Sequence, residues 1–139
     1  MNNIITKSFI PAAEAFKNNN NEKAVEIFVG GVMDDSLFFS KIPQHGRDIM
    51  MDNTLELRGF LVNKNSSPPV NCDDLKGIKT PVLLMTGDRS PLFLTSIINE
   101  LDRCLNNKEL TILPNSSHGL EFENPLEFNK IVLDFINRY

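Results

Sequence analysis

At 139 residues, the chain has room for one domain of ordinary size, large enough to bury a core without a metal or disulfide staple. A net charge of −4, from 14 basic and 18 acidic residues with Lys and Arg scattered singly, excludes the clustered cationic surface that a nucleic-acid partner requires. Apolar residues make up 41%, a globular share once glycine is added. No apolar run approaches the roughly 20 residues of a membrane span, so neither nucleic acid nor membrane is an expected partner. The opening Met-Asn-Asn-Ile-Ile-Thr-Lys lacks the charged start, apolar stretch and small-residue cleavage site of a secretory leader, and the expected location is the cytoplasm. Cys72 and Cys104 share no spacing motif and have no neighbouring His or paired Cys. No metal site is expected, and both read as reduced thiols, Cys104 in the core on the apolar face of a helix.

Residues 8–60 carry helical patterns and no convincing strand. Phe9, Ala12, Ala13 and Phe16 lie at helical spacing and stop at the run Asn18-Asn-Asn-Asn21, a polar connection between helices. Asn21 is placed to cap a second helix over 22–30, striped by Ala24, Val25 and Phe28 and stopped or kinked by Gly30-Gly31. A short segment over 35–42 carries Leu37, Phe38 and Phe39. Pro43 then suits the first turn of a third helix, running to about Leu57 through Ile49, Met50 and Leu55. The Asn63-Lys-Asn-Ser-Ser-Pro-Pro-Val-Asn71 stretch is loop chemistry, because adjacent prolines exclude a helix interior or central strand. One helical turn over 73–75 precedes Gly77. The organisation expected is a helical segment over 1–62, a linker over 63–77 and a β-α-β-α part over 78–139.

In that last part, the run Pro81-Val-Leu-Leu-Met-Thr86 ends at Gly87 without alternation, which predicts a strand covered on both faces, as in a parallel sheet. A helix over 91–105 follows, with Ile97, Ile98, Leu101, Cys104 and Leu105 on one side, and a short strand over 109–113. Asn115-Ser-Ser-His-Gly119 makes a loop. Asn124, Pro125 and Glu127 supply the cap, first position and third-residue carboxylate of a helix whose Phe128, Ile131, Val132, Phe135 and Ile136 form an amphipathic face. The fold class is therefore α/β, with two parallel strands.

Three strings, Ile78-Lys-Thr-Pro-Val-Leu-Leu-Met-Thr-Gly-Asp-Arg-Ser-Pro91, Leu113-Pro-Asn-Ser-Ser-His-Gly119 and Glu123-Asn-Pro-Leu-Glu-Phe-Asn129, resemble the C-terminal end of an α/β-hydrolase. The similarity covers residues 76–138. A looser likeness over 8–60, in the Ala12-Ala-Glu-Ala-Phe16 and Asp52-Asn53 strings, is to the helical cap that this family inserts after strand six. By that resemblance the fold is a partial α/β-hydrolase, with the strand over 81–86 its seventh and that over 109–113 its eighth. His118 matches the family's general base. A serine hydroxyl needs a base of near-neutral pKa within hydrogen-bond reach, and a histidine between Ser117 and Gly119 after a strand can supply one. The commonest family position for the triad acid holds Ser90, which reads as a helix N-cap before Pro91. Asp88, directly after Gly87, is the candidate acid in this chain.

The family nucleophile stands in a G-x-S-x-G turn, and no glycine here has serine two residues on and glycine four residues on. Ser116 and Ser117 adjoin His118 too closely to share a substrate with it and read as loop formers. His45 sits on a solvated helix face. The chain thus offers a base without the family's nucleophile and, with strand six absent, a free strand edge. The expected function is the C-terminal portion of a serine hydrolase for ester or related acyl bonds, inactive alone, with a small apolar acyl substrate and no cofactor. Self-association or a complementary N-terminal half follows as the expected partner. Two alternatives are a non-catalytic interaction module or degenerate remnant pairing through the strand edge, and a flavodoxin-like phosphate binder. The second of these is weakened by the absence of a glycine-rich strand-to-helix loop. Phe9, Phe16, Phe28, Phe38, Phe39 and Met50 either line a cleft under the cap or pack its helices together; packing is the favoured reading.

Overall fold

The computed structural model describes residues 4–63 and 70–139. The adjacent prolines of the expected loop lie outside the described residues. The chain divides into two compact units, residues 1–68 and 69–139, where length alone suggested one domain.

The first unit is helical throughout. A π-helical turn, Ile5–Phe9, runs directly into α1 (Ile10–Lys17), and α2 (Asn21–Val32) follows. The asparagine run makes the turn between them, with Asn19 at φ 56°, a left-handed conformation that asparagine tolerates. The cap of α2 is Asn20, whose side chain accepts from the Lys23 N–H at 3.2 Å, one residue before the expected Asn21. Gly30-Gly31 does not end this helix. A Cβ on Gly31 would stand 2.2 Å from the Ser8 side chain, and one on Gly30 would stand 3.2 Å from the Ser36 Cα. The glycines therefore permit close approach of neighbouring chain segments. Ser8 is buried in that contact and donates to the Ile27 carbonyl at 2.9 Å, so its hydroxyl is satisfied within the packed interface.

The short α3 (Phe38–Lys41) leads to α4 (Gln44–Asp52) and α5 (Thr54–Val62). The expected third helix is thus two, broken at Asn53, and Pro43 stands just outside α4 in extended geometry (φ −54°, ψ 151°). Phe16, Ala24, Val25 and Phe39 form the buried core, with Met50, Leu57 and Leu61 packed against it. Phe9, Phe28 and Phe60 make a ring trio with centroids 5.4–6.4 Å apart. Five of the six candidate cleft residues, all but the half-buried Phe38, thus pack this unit's own helices. His45 is exposed on α4.

The second unit opens with α6 (Cys72–Lys76), whose N-cap Asn71 accepts from the Asp74 N–H at 2.9 Å. Then come β1 (Val82–Gly87), α7 (Leu92–Cys104), β2 (Lys108–Leu113), α8 (Leu120–Glu123) and α9 (Pro125–Ile136). The strands are parallel, in register from Val82↔Lys108 to Gly87↔Leu113, so the β-α-β-α order and the α/β class of the sequence reading hold. Among the described residues β1 and β2 make a two-stranded sheet. Consequently β1 is only partly covered: Leu84 and Gly87 are buried and its other residues half-buried. At the start of α9, Asn124 does not cap; its side-chain amide donates to the Pro114 carbonyl at 3.3 Å instead.

Cys72 and Cys104 are joined in a disulfide, with Cα atoms 5.0 Å apart, which corrects the reading of both as free thiols. The fold lays the start of α6 beside the end of α7, a proximity that a separation of 32 residues does not announce. Cys104 is 2% exposed, as expected of a core position. Closing a loop of this length stabilises the unit by about 2–4 kcal/mol, chiefly by restricting the unfolded chain. Reduction should therefore lower the unfolding free energy of this unit by that amount, read as a lower urea midpoint. Tyr139 is the single tyrosine, and the chain has no tryptophan. Its ring lies 5.1 Å from that of Phe135, so its fluorescence reports the transition directly.

Candidate functional site

The carboxyl ends of β1 and β2 and the two loops that follow them define the site. Parallel strands place their strand-to-helix loops at one end, which is where ligand crevices form in α/β sheets. The β1–α7 turn closes on itself: the Gly87 N–H donates to Ser90 Oγ at 3.0 Å, and the Ser90 N–H donates to the Gly87 carbonyl at 3.1 Å. Ser90 is therefore not the cap of α7, which begins after Pro91 with no side-chain cap bond.

The loop between β2 and α8 is held from several sides. The Asp88 carboxylate accepts from the Ser116 N–H at 3.2 Å, and the Arg89 N–H donates to the Ser116 carbonyl at 2.9 Å. The Arg89 guanidinium also donates to the Asn115 carbonyl. Ser116, fully buried, gives its hydroxyl proton to the Pro114 carbonyl at 3.1 Å. Glu123 takes both the N–H and the hydroxyl proton of Ser117, the latter at 2.9 Å. Asn115 turns the chain at φ 56°. The backbone that carries His118 is thus fixed by Asp88 and Arg89 of the β1–α7 turn and by Glu123 at the end of α8, while the imidazole itself is exposed and has no hydrogen-bond partner among the described residues.

Gly87 sets the distance between the two loops. A Cβ there would fall 2.0 Å from the Ser116 carbonyl oxygen and 2.6 Å from that of Ser117. Both obstacles are backbone atoms, so a side chain would push the histidine loop away from β1. Gly87→Ala should destabilise the unit by about 1–3 kcal/mol, read as a lower urea midpoint of the Tyr139 signal. It should also unseat the His118 loop.

His118 and Ser90 face a common cavity of about 140 Å³ at the end of β1. Its apolar wall comes from Met85, Leu94, Ile97, Ile98 and Leu120, and its polar atoms from Thr86, Ser90, Ser117 and His118. Asp88 is absent from this wall. Its carboxylate is turned to the Ser116 backbone, where it braces the loop, and no hydrogen bond joins it to His118. Ser90 lines the same cavity as the predicted histidine, with no hydrogen bond between the two among the described residues, and the predicted acid lies outside it. Sequence reasoning passed over Arg89 and Glu123, the two charged residues that clamp the loop. Neither has a pattern of its own in the sequence, because both act on backbone atoms or on a loop serine some residues away. Among the described residues no group of three or more His, Cys, Asp or Glu side chains could hold a metal ion. No helix among them is long and apolar enough to cross a membrane.

Comparison of the chain with protein-family models and with curated proteins finds no match.

Proposed function

We propose that this chain forms the C-terminal portion of a serine α/β-hydrolase acting on ester or related acyl bonds, with the helical unit as its cap and His118 as its general base. One observation carries the reading: the loop around His118 is braced at Ser116 and Ser117 by Asp88, Arg89 and Glu123, yet the imidazole is left unpartnered on an apolar cavity. A base must be positioned and unoccupied to take a proton from a nucleophile, and this arrangement meets both conditions. The substrate that suits the walls is a small apolar acyl group. The serine of a nucleophile elbow would come from residues upstream or from a second polypeptide, and the acid from elsewhere, because Asp88 is engaged with the loop. No cofactor or metal takes part in this chemistry.

The test is to isolate the native protein from its source cells, measure its mass, and treat it with a serine-directed fluorophosphonate. Covalent labelling of a serine in a G-x-S-x-G segment, in the same chain or a tightly bound one, supports the proposal. A native species of 15.7 kDa that copurifies with no labelled chain sinks it.

The second reading, a non-catalytic module that pairs through its sheet edge, draws on β1 having one strand neighbour among the described residues and on Leu92, Phe122 and Leu126 each being more than 80% exposed. Unpaired edges and apolar patches of this kind mark partner surfaces. Such a module would form a complex that is indifferent to replacement of His118, and alone it would self-associate; a stable monomer in ultracentrifugation counts against it. The cytoplasmic location remains part of the proposal. The disulfide weighs against it, since cytosolic thiols are kept reduced. Alkylation of Cys72 and Cys104 before lysis of the source cells decides the point.

A further inference from the structure

The hydrogen-bond inventory of the cavity separates its hydroxyl groups. The Ser117 hydroxyl donates its hydrogen bond to Glu123. The neighbouring Ser116, buried behind the loop, donates its own to the Pro114 carbonyl. Ser90 is different: its oxygen accepts from the Gly87 N–H at 3.0 Å, and its own proton has no acceptor among the described residues. The one imidazole on the same wall, His118, is equally uncommitted. A bond donated to a hydroxyl oxygen stabilises the negative charge that develops there as the proton leaves. Thr86 also lines the cavity, but it is a β-branched secondary hydroxyl on the strand and a more hindered nucleophile. The remaining wall is apolar, and a volume of this order accommodates a group the size of benzene.

We propose that Ser90 and His118 form a nucleophile–base pair contained within this chain, which accepts short apolar acyl groups of about four to six carbons from activated esters. The pair shares its base with the function proposed above but not its nucleophile. In the acylation step the Ser90 hydroxyl proton passes to the His118 imidazole as the Ser90 Oγ–carbonyl carbon bond forms. The carbon–oxygen bond to the alcohol then breaks, and the imidazolium proton leaves with the alcohol. Water repeats the sequence in reverse roles, releasing the carboxylic acid and restoring the serine.

The experiment uses the full 139-residue chain with p-nitrophenyl butyrate, following p-nitrophenol release and mapping the butyryl group by peptide mass after an acid quench. The expected result is one adduct per chain, on the peptide containing Ser90. Ser90→Ala should abolish it. Ser90→Asn should do the same while retaining an oxygen for the Gly87 N–H, which guards against simple collapse of the turn. His118→Asn should slow acylation at least 100-fold. Ser96→Ala, on the exposed part of α7 with its hydroxyl bonded to the Leu92 carbonyl, should leave it unchanged. An adduct on Ser117, Thr86 or a lysine, an adduct indifferent to His118, or no adduct at all overturns the pair. None of these outcomes touches the question of an elbow serine elsewhere, which the fluorophosphonate experiment on the native protein answers separately.

Discussion

On the proposed hydrolase function, replacing His118 with alanine should slow acyl hydrolysis about 100- to 10,000-fold, the usual contribution of a positioned general base. The loss should fall on kcat, because the imidazole acts on the proton in flight and contributes little to holding an apolar acyl chain. Folding should be unaffected: the side chain is exposed and bonded to nothing among the described residues, so the expected change in stability stays within about 0.5 kcal/mol. This combination distinguishes the role. A surface histidine of no function would leave both quantities unchanged, and a structural one would move stability first. The measurement is steady-state hydrolysis of a short-chain ester, paired with urea unfolding of the same variant. Replacing Asp88 with alanine offers a contrast, since it removes the acceptor of the Ser116 N–H and so disturbs the loop that presents the histidine.

The largest effect on stability is expected at Phe16. Its side chain is fully buried and lies in the core that joins α1, α2 and α3. Phe16→Ala removes the ring and leaves a cavity that backbone-tight neighbours such as Ala12 and Ala24 cannot fill, at a cost of about 3–5 kcal/mol. A unit of 68 residues has a small core, and domain stabilities run to only about 5–15 kcal/mol. Most of its margin would therefore be lost, and the far-UV signal of the first unit should show a lower and broader thermal transition. Phe60→Ala provides the comparison. Its ring belongs to the Phe9–Phe28–Phe60 trio but is 62% exposed, so the same truncation should cost far less. Equal costs would mean that the core lies elsewhere than at Phe16.

The disulfide and the bracing of the histidine loop belong to a common economy. Among the described residues the second unit has two strands and a final helix with no fully buried residue, and its buried apolar residues are Leu84, Cys104, Leu105, Leu113 and Leu120. The Cys72–Cys104 bond ties α6 to α7. Arg138 and Tyr139 reach back to Glu109 on β2, the latter at 3.3 Å. Polar and covalent ties substitute here for a larger core, as small domains require.

Periodicity in the sequence determined the parts of this protein that depend on neighbours along the chain. The helical first half, the β-α-β-α order, the parallel strands and the exposed His118 loop all follow from apolar spacing, strand length and turn chemistry. The cap of α2 was legible to within a residue, at Asn20 in place of Asn21, whereas the cap at Asn71 emerged only in the structure, its loop having been read without one. The caps expected at Ser90 and Asn124 failed because another backbone group, the Gly87 N–H within the same turn or the Pro114 carbonyl ten residues back, took the side chain that would otherwise cap a helix. Only the tertiary structure decided the rest. It showed that Gly30 and Gly31 serve close approach and do not end α2, that Cys72 meets Cys104, that Asp88 braces the loop, and that Ser90 shares a cavity with His118. The physical reason is common to all four: each is set by which distant backbone or side chain arrives within a few ångströms, and no local pattern encodes that distance.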